Sequence, residues 1–198
     1  MAKKNASRNW LVIGAIVLVI IIIIGTVVGM YNSFVTLNQS VNAKWSEVEN
    51  QYQRQADLIP TLVAVVSSAV SVETNFVKNV TDARSKWQSS STIYDKDVSG
   101  VQMNNGISAL INAVATTENY PVLRANTQYV ALTDEISGTQ NRITTARGRY
   151  IEAIQAYNTA ITMFPGNVFS AMFGFINKDY YHAELSALNA TGLVNGLP

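Results

Sequence analysis

The sequence predicts an all-α protein: an N-terminal transmembrane helix followed by an antiparallel up-and-down four-helix bundle. Residues 10–30, WLVIGAIVLVIIIIIGTVVGM, hold no ionisable side chain. Beyond them, apolar residues recur every three or four positions, the period of a helix with one buried face. Pro60, Pro121 and Pro165-Gly166 punctuate that pattern where a stripe has to turn.

The apolar run, with Trp10 at its start, Ile20 at its middle and Met30 at its end, would span roughly 30 Å as a helix, the thickness of a bilayer's hydrocarbon core. A core helix of a water-soluble protein seldom stays apolar on every face for so long. A cleaved signal peptide has an apolar part of about 7–15 residues before small residues at a cut site. This run is longer and passes through Gly25-Thr26-Val27-Val28-Gly29-Met30 with no A-x-A site, so it reads as a retained anchor. Residues 1–9 form a basic tail with Lys3, Lys4, Arg8 and no acid, whereas Lys44, Glu47 and Glu49 leave the 31–50 side at net −1. That asymmetry predicts a cytoplasmic N-terminus in the cell membrane and a bundle on the extracytoplasmic side.

Of 14 Lys+Arg, three precede the run; the remaining 11 face 13 Asp+Glu, a net charge of −2 that attracts no nucleic acid. Cysteine is absent, which removes disulfides, thiol catalysis and zinc-thiolate sites.

The bundle is expected over 31–167. Phe34, Leu37, Val41, Trp45, Val48 and Tyr52 form the first stripe, in a helix that continues from the membrane span. Proline disfavours helical geometry at Ile59 and suits a helix's first turn, so a tight reversal is expected at Asp57–Ile59, with Asp57 capping a second helix from Pro60 to about Trp87. The alternative is one long helix kinked at Pro60. Leu62, Val63, Val66, Ala69, Val70, Phe76, Val80, Ala83 and Trp87 line the second stripe, and Ser89–Thr92 reads as a loop. A third, weaker helix runs from about Val98 to Glu118; Gly100 and Gly106 each cost it about 1 kcal/mol against alanine. Tyr120-Pro121 ends it. The fourth, Asn126–Phe164, carries Tyr129, Leu132, Ile136, Ile143, Tyr150, Ile154, Tyr157, Ile161 and Phe164 on one stripe, with Thr139 or Gln140 and Ala146 filling the gaps. Pro165-Gly166-Asn167 stops it. An aromatic segment over 168–182 and a tail over 183–198 follow.

Eight blocks, in order, resemble the LemA family: Tyr31–Val35, Trp45–Glu49, Asp57–Val63, Val80–Ser85, Glu118–Leu123, Asn141–Ile143 with Ala146-Arg147, Tyr157–Ile161, and Phe164–Asn167 followed by Phe173–Phe175. Within them Trp45, Asp57, Pro60, Pro121, Tyr157, Asn158, Pro165, Gly166 and Asn167 stand out as family-motif positions of structural character. The resemblance implies a membrane-anchored up-and-down four-helix bundle in a bacterial or archaeal envelope, with no enzymatic activity established for the family and a magnetosome-associated branch that builds membrane compartments. Gln55 and Ala56 depart from the family's usual basic and aromatic pair, and Asn75-Phe76 from a more charged stretch.

Reactive chemistry is sparse. His182 is the one histidine, H-E-x-x-H, G-x-S-x-G and P-loop patterns are missing, and Glu47 and Glu49, two apart, do not share a helix face. No catalytic residue, cofactor or metal is assigned, and the chain reads as a non-enzyme. Arg142, Arg147 and Arg149 read as a solvated face with intramolecular ion pairs, and Trp45 and Trp87 as core. The Met163–Ile176 stretch has two open readings. Phe169, Phe173 and Phe175 enter the membrane interface while Lys178 stays with headgroups, or the segment closes over the bundle's end as a lid. The functional expectation is a scaffold whose partners are the lipid bilayer, further copies of itself and other membrane proteins. The alternative is a binding or sensing module holding a ligand between helices near Gly100–Gly106.

Overall fold

From Ala2 to Ser67 the chain is one unbroken helix, α1, of 66 residues. The computed structural model describes residues 2–68, 74–116 and 121–180. Within them α2 spans Thr74–Ser89, α3 Ile93–Thr116, α4 Pro121–Arg124, α5 Thr127–Thr162 and α6 Gly166–Phe173. The expected all-α class holds: every regular element among the described residues is helical.

The expected reversal at Asp57–Ile59 does not occur. Pro60 lies inside α1, and the chain leaves the helix only after Ser67. Proline lacks the N–H that would bond the carbonyl four residues back, here that of Ala56. Arg84 of α2 replaces it, its Nε donating to the Ala56 carbonyl oxygen at 2.9 Å. Ala56 is fully buried, so this long-range donor satisfies a group that water cannot reach. Asp57 therefore has no helix start to cap; its carboxylate accepts a bond from Gln53 Nε2 at 2.7 Å. Leu62 and Val66, assigned to the second stripe, are core residues of α1. Ala69 and Val70 lie outside the described residues.

The chain divides into two compact units, one of Lys44–Tyr150 and one of the segment up to Ala43 with Ile151–Tyr180. In the first, residue pairs give the helix directions. Tyr52 meets Trp87 and Ala56 meets Arg84, so α1 and α2 are antiparallel. Lys86 bonds Gln102, and Val80 lies against Gly106, so α2 and α3 are antiparallel. Glu49 pairs with Lys96 and Gln55 with Asn104, which makes α1 and α3 parallel. Asp97 pairs with Arg147 and Ser108 with Gln140, which sets α5 against α3. The result is the up-and-down order expected, about two helical turns later than Pro60 suggested.

Its core is Trp45, Val48, Tyr52, Ile59, Leu62 and Val66 of α1, Val80 and Trp87 of α2, Met103, Ile107, Leu110 and Val114 of α3, and Tyr129, Leu132, Ile136 and Ile143 of α5. Thr139, not Gln140, fills the buried gap on α5, its hydroxyl bonded to the Glu135 carbonyl. Helix α3 begins at Ile93, ahead of the expected Val98. Thr92 caps it: the Asp95 N–H donates to Thr92 Oγ1 at 3.0 Å, and the Thr92 hydroxyl donates to the Asp95 carboxylate at 2.7 Å. Gly100 lies inside this helix because the Tyr52 ring rests on it; a Cβ there would fall 2.7 Å from Tyr52 Cζ. Asn126 caps α5, accepting from the N–H groups of Gln128 and Tyr129. Pro121 opens α4, where a missing N–H costs nothing. The expected end of the third helix at Glu118–Tyr120 lies outside the described residues.

Candidate membrane-proximal site

In the second unit, α1 carries the apolar run with its side chains open. Trp10 is 80% exposed and Ile20 49%, Met30 is half-buried, and none of the most apolar 18-residue window is buried. Tyr31, the next residue, begins an aromatic cluster. Its ring lies 5.1 Å from that of Phe173 and 5.9 Å from that of Phe175, and Phe34 lies 5.3 Å from Phe175, all edge to face.

The C-terminal aromatic segment reaches this cluster because the chain turns sharply after α5. Gly166 sits so close to α5 that a Cβ would fall 2.1 Å from the Ala160 carbonyl oxygen, which only glycine tolerates. Pro165 precedes it, and the Asn167 N–H bonds the Met163 carbonyl at 3.0 Å, closing the turn. The buried Ser170 hydroxyl donates to the Ile161 carbonyl at 2.8 Å and ties α6 to α5. Gly174 ends α6 in the left-handed region at φ 75°, and the Phe175 N–H bonds back to Ser170.

Residues 175–178 then return along α5. Tyr157 donates its hydroxyl to the Ile176 carbonyl at 3.0 Å. Asn158 grips Lys178 twice, its Nδ2 donating to the Lys178 carbonyl at 2.8 Å and its Oδ1 accepting the Lys178 N–H at 2.9 Å. The Lys178 ammonium stands 5.5 Å above the Tyr157 ring. Partial burial raises the Tyr157 phenol above its ordinary pKa.

The structure thus brings Tyr157, Asn158, Pro165, Gly166 and Asn167 together in one fold-back. Of the interface candidates, Phe173 and Phe175 turn their rings onto Tyr31 and Phe34, Lys178 lies on Tyr157, and Phe169 is half-buried. The outward positions are others: Phe164, expected on the buried stripe of the fourth helix but lying past the end of α5 and 84% exposed, with Val168, Met172 and Ile176. Their four-residue spacing was visible in the sequence, but which face α6 turns inward was not.

The Lys44–Tyr150 unit holds the remaining polar chemistry. Trp45 packs on Tyr150, with ring centroids 5.4 Å apart. Arg147 meets Asp97 at 3.6 Å, and Arg149 meets Glu47 at 3.9 Å. Burial raises the Tyr52 phenol far above its ordinary range; the Arg147 charge opposes this in part, and Asp97 adds to the rise. A groove of about 490 Å³ between α1 and α5 is lined by Glu47, Asn50, Gln51, Asn141, Arg142 and Arg149, among others. At the Gly100–Gly106 face, which the alternative reading singled out, the Tyr52 ring lies against Gly100 and Val80 against Gly106. Among the described residues no cluster of three or more His, Cys, Asp or Glu could hold a metal. His182 and 183–198 lie outside the described residues.

The LemA family model matches residues 44–193. Magnetosome proteins MamQ 1 and MamQ 2 of Paramagnetospirillum magneticum are each 25% identical to this chain over 191 residues, covering 85% of it and 70% of each relative. Magnetosome protein MamQ of Magnetospirillum gryphiswaldense is 23% identical over the same shares.

Proposed function

We infer for this chain, which belongs to the LemA family, a single-pass membrane-anchored scaffold that self-associates or organises partner proteins at the cell envelope. At the coarser level it is a membrane-associated helical protein. The observation that carries the finer reading is the continuity of α1. One helix supplies both the open apolar run and the bundle's Trp45, Val48, Tyr52 and Ile59, with no linker between. Anchoring confines the bundle to two dimensions and raises its effective concentration toward other anchored bundles. Relatives named for the magnetosome support membrane association.

The basic tail favours a cytoplasmic N-terminus with the bundle outside. Because the chain has no cysteine, single reporters test this cleanly. An impermeant maleimide applied to intact cells should label Ser91→Cys at once and Asn5→Cys only after lysis; the reverse pattern refutes the orientation. For self-association, size-exclusion chromatography with light scattering on the detergent-purified full chain should give a defined assembly. A monodisperse monomer that also fails to cross-link in native membranes contradicts it.

A further inference from the structure

We propose that the outer face of α6, carrying Val168 and Met172, together with the exposed Phe164 and Ile176 that flank the helix, is a second membrane contact that seats in the interface of the leaflet from which the anchor emerges. The proposal rests on the anchor reading above and adds a site to it.

The charge distribution supports it. C-terminal to the apolar run, the unit containing the anchor comprises residues 31–43 and 151–180, and the charged side chains there are Glu152, Lys178 and Asp179 alone. Residues 31–43 and 153–177 hold no Asp, Glu, Lys or Arg. A surface facing bulk water would not usually be stripped of charge over two segments that fold together, whereas one beside lipid headgroups has that need. The geometry agrees. Val168 and Met172, four residues apart, share one helical face of α6, and Phe164 and Ile176 flank the helix on either side. All four are more than half exposed. The opposite side of α6 is used internally: Gly166 and Ser170 are buried on α5, and Phe173 packs on Tyr31. Nothing within the described chain covers the four exposed side chains.

Lipid is the occupant because α6, which carries the exposed side chains, is held beside the end of the apolar run. Phe173 touches Tyr31, and Tyr31 directly follows Met30, the last residue of the anchor run. A helix fixed one residue beyond the hydrocarbon span has its outward side chains at the depth where Phe and Met partition from headgroups into acyl chains. Lys178, held on Tyr157, is placed for the phosphate layer.

The test uses the full chain, reconstituted into vesicles of phosphatidylcholine and phosphatidylglycerol, with a single environment-sensitive dye on Val168→Cys, Met172→Cys, Ile20→Cys or Gln53→Cys. Spin-labelled lipids serve as quenchers. Val168 and Met172 should be blue-shifted and quenched several-fold more than Gln53, most strongly by labels near the headgroup. Ile20 should be quenched most by deep labels. If Ile20 is quenched and positions 168 and 172 behave like Gln53, the second contact is wrong while the anchor stands; if Ile20 is also unquenched, both fall. Blue shift without lipid quenching, together with disulfide cross-linking of unlabelled Met172→Cys between chains, would mean that a second copy covers this face and would overturn the lipid assignment.

Discussion

The bond from Arg84 to the Ala56 carbonyl makes a quantitative prediction about a proline inside a helix. Replacing Arg84 with methionine keeps the aliphatic stem and removes the donor. The Ala56 carbonyl is then left buried with no N–H from position 60 and none from α2. Stranding a buried acceptor costs about 1–3 kcal/mol. Arg84 is itself half-buried, so water replaces part of the bond and about 1.5 kcal/mol is the reasonable centre. For a chain of this size that lowers Tm by roughly 3–6 °C. The decisive comparison is a double-mutant cycle. Pro60→Ala restores the N–H that α1 lacks, so in that background Arg84→Met should cost no more than about 0.5 kcal/mol, leaving a coupling of about 1 kcal/mol. Denaturant unfolding of the full chain in mild detergent, followed by near-ultraviolet circular dichroism, measures all four corners. Equal costs of Arg84→Met in both backgrounds would refute the claim that arginine substitutes for the missing N–H.

Three further outcomes follow from the packing. Gly100→Ala forces a methyl to within 2.7 Å of the Tyr52 ring and should destabilise by about 1–3 kcal/mol, whereas Gly148→Ala, with nothing within 4 Å, should be neutral or stabilising by up to about 1 kcal/mol in the same unfolding assay. Asn158→Ala breaks both bonds to Lys178 and should cost about 1–2 kcal/mol locally, read as faster proteolysis between Phe175 and Tyr180 with the bundle's unfolding midpoint unchanged. Burial raises the phenols of Tyr52, Tyr129, Tyr150 and Tyr157. The unfolded chain therefore loses these protons first as pH rises, so stability is complete below about pH 10 and declines above it. Absorbance at about 295 nm should show these tyrosines ionising late and together with unfolding; titration of all nine at their ordinary value in the folded protein contradicts their burial.

The long apolar helical run and α5 were legible because each rests on a local pattern. An uncharged run needs no partner to be recognised, and the stripe from Tyr129 to Ile161 keeps its period between Asn126, which caps the helix, and the turn before Gly166. The start of α3 was also present in the sequence as Thr92 and Asp95, but the glycines that follow obscured it. Pro60 misled because its local preference is real, and the group that overrides it, Arg84, lies on another helix, 28 residues from the Ala56 carbonyl it bonds. The aromatic segment was recognised by composition, yet Phe173 and Phe175 turn inward while Phe164, Val168 and Met172 turn out. That choice depends on how closely Gly166 approaches Ala160 and where the Ser170 hydroxyl binds, both tertiary facts. Arg147 and Arg149 resolved as intramolecular partners of Asp97 and Glu47, as a solvated helix face allows.

Everything proposed for this chain requires residues 10–30 to remain in the bilayer as part of α1. Alkaline carbonate extraction of membranes from cells expressing the full chain measures that directly, with intact mass read on the recovered protein. The protein should stay in the pellet with Trp10–Met30 present. Release into the supernatant, or a mature chain starting beyond Met30, would contradict the account.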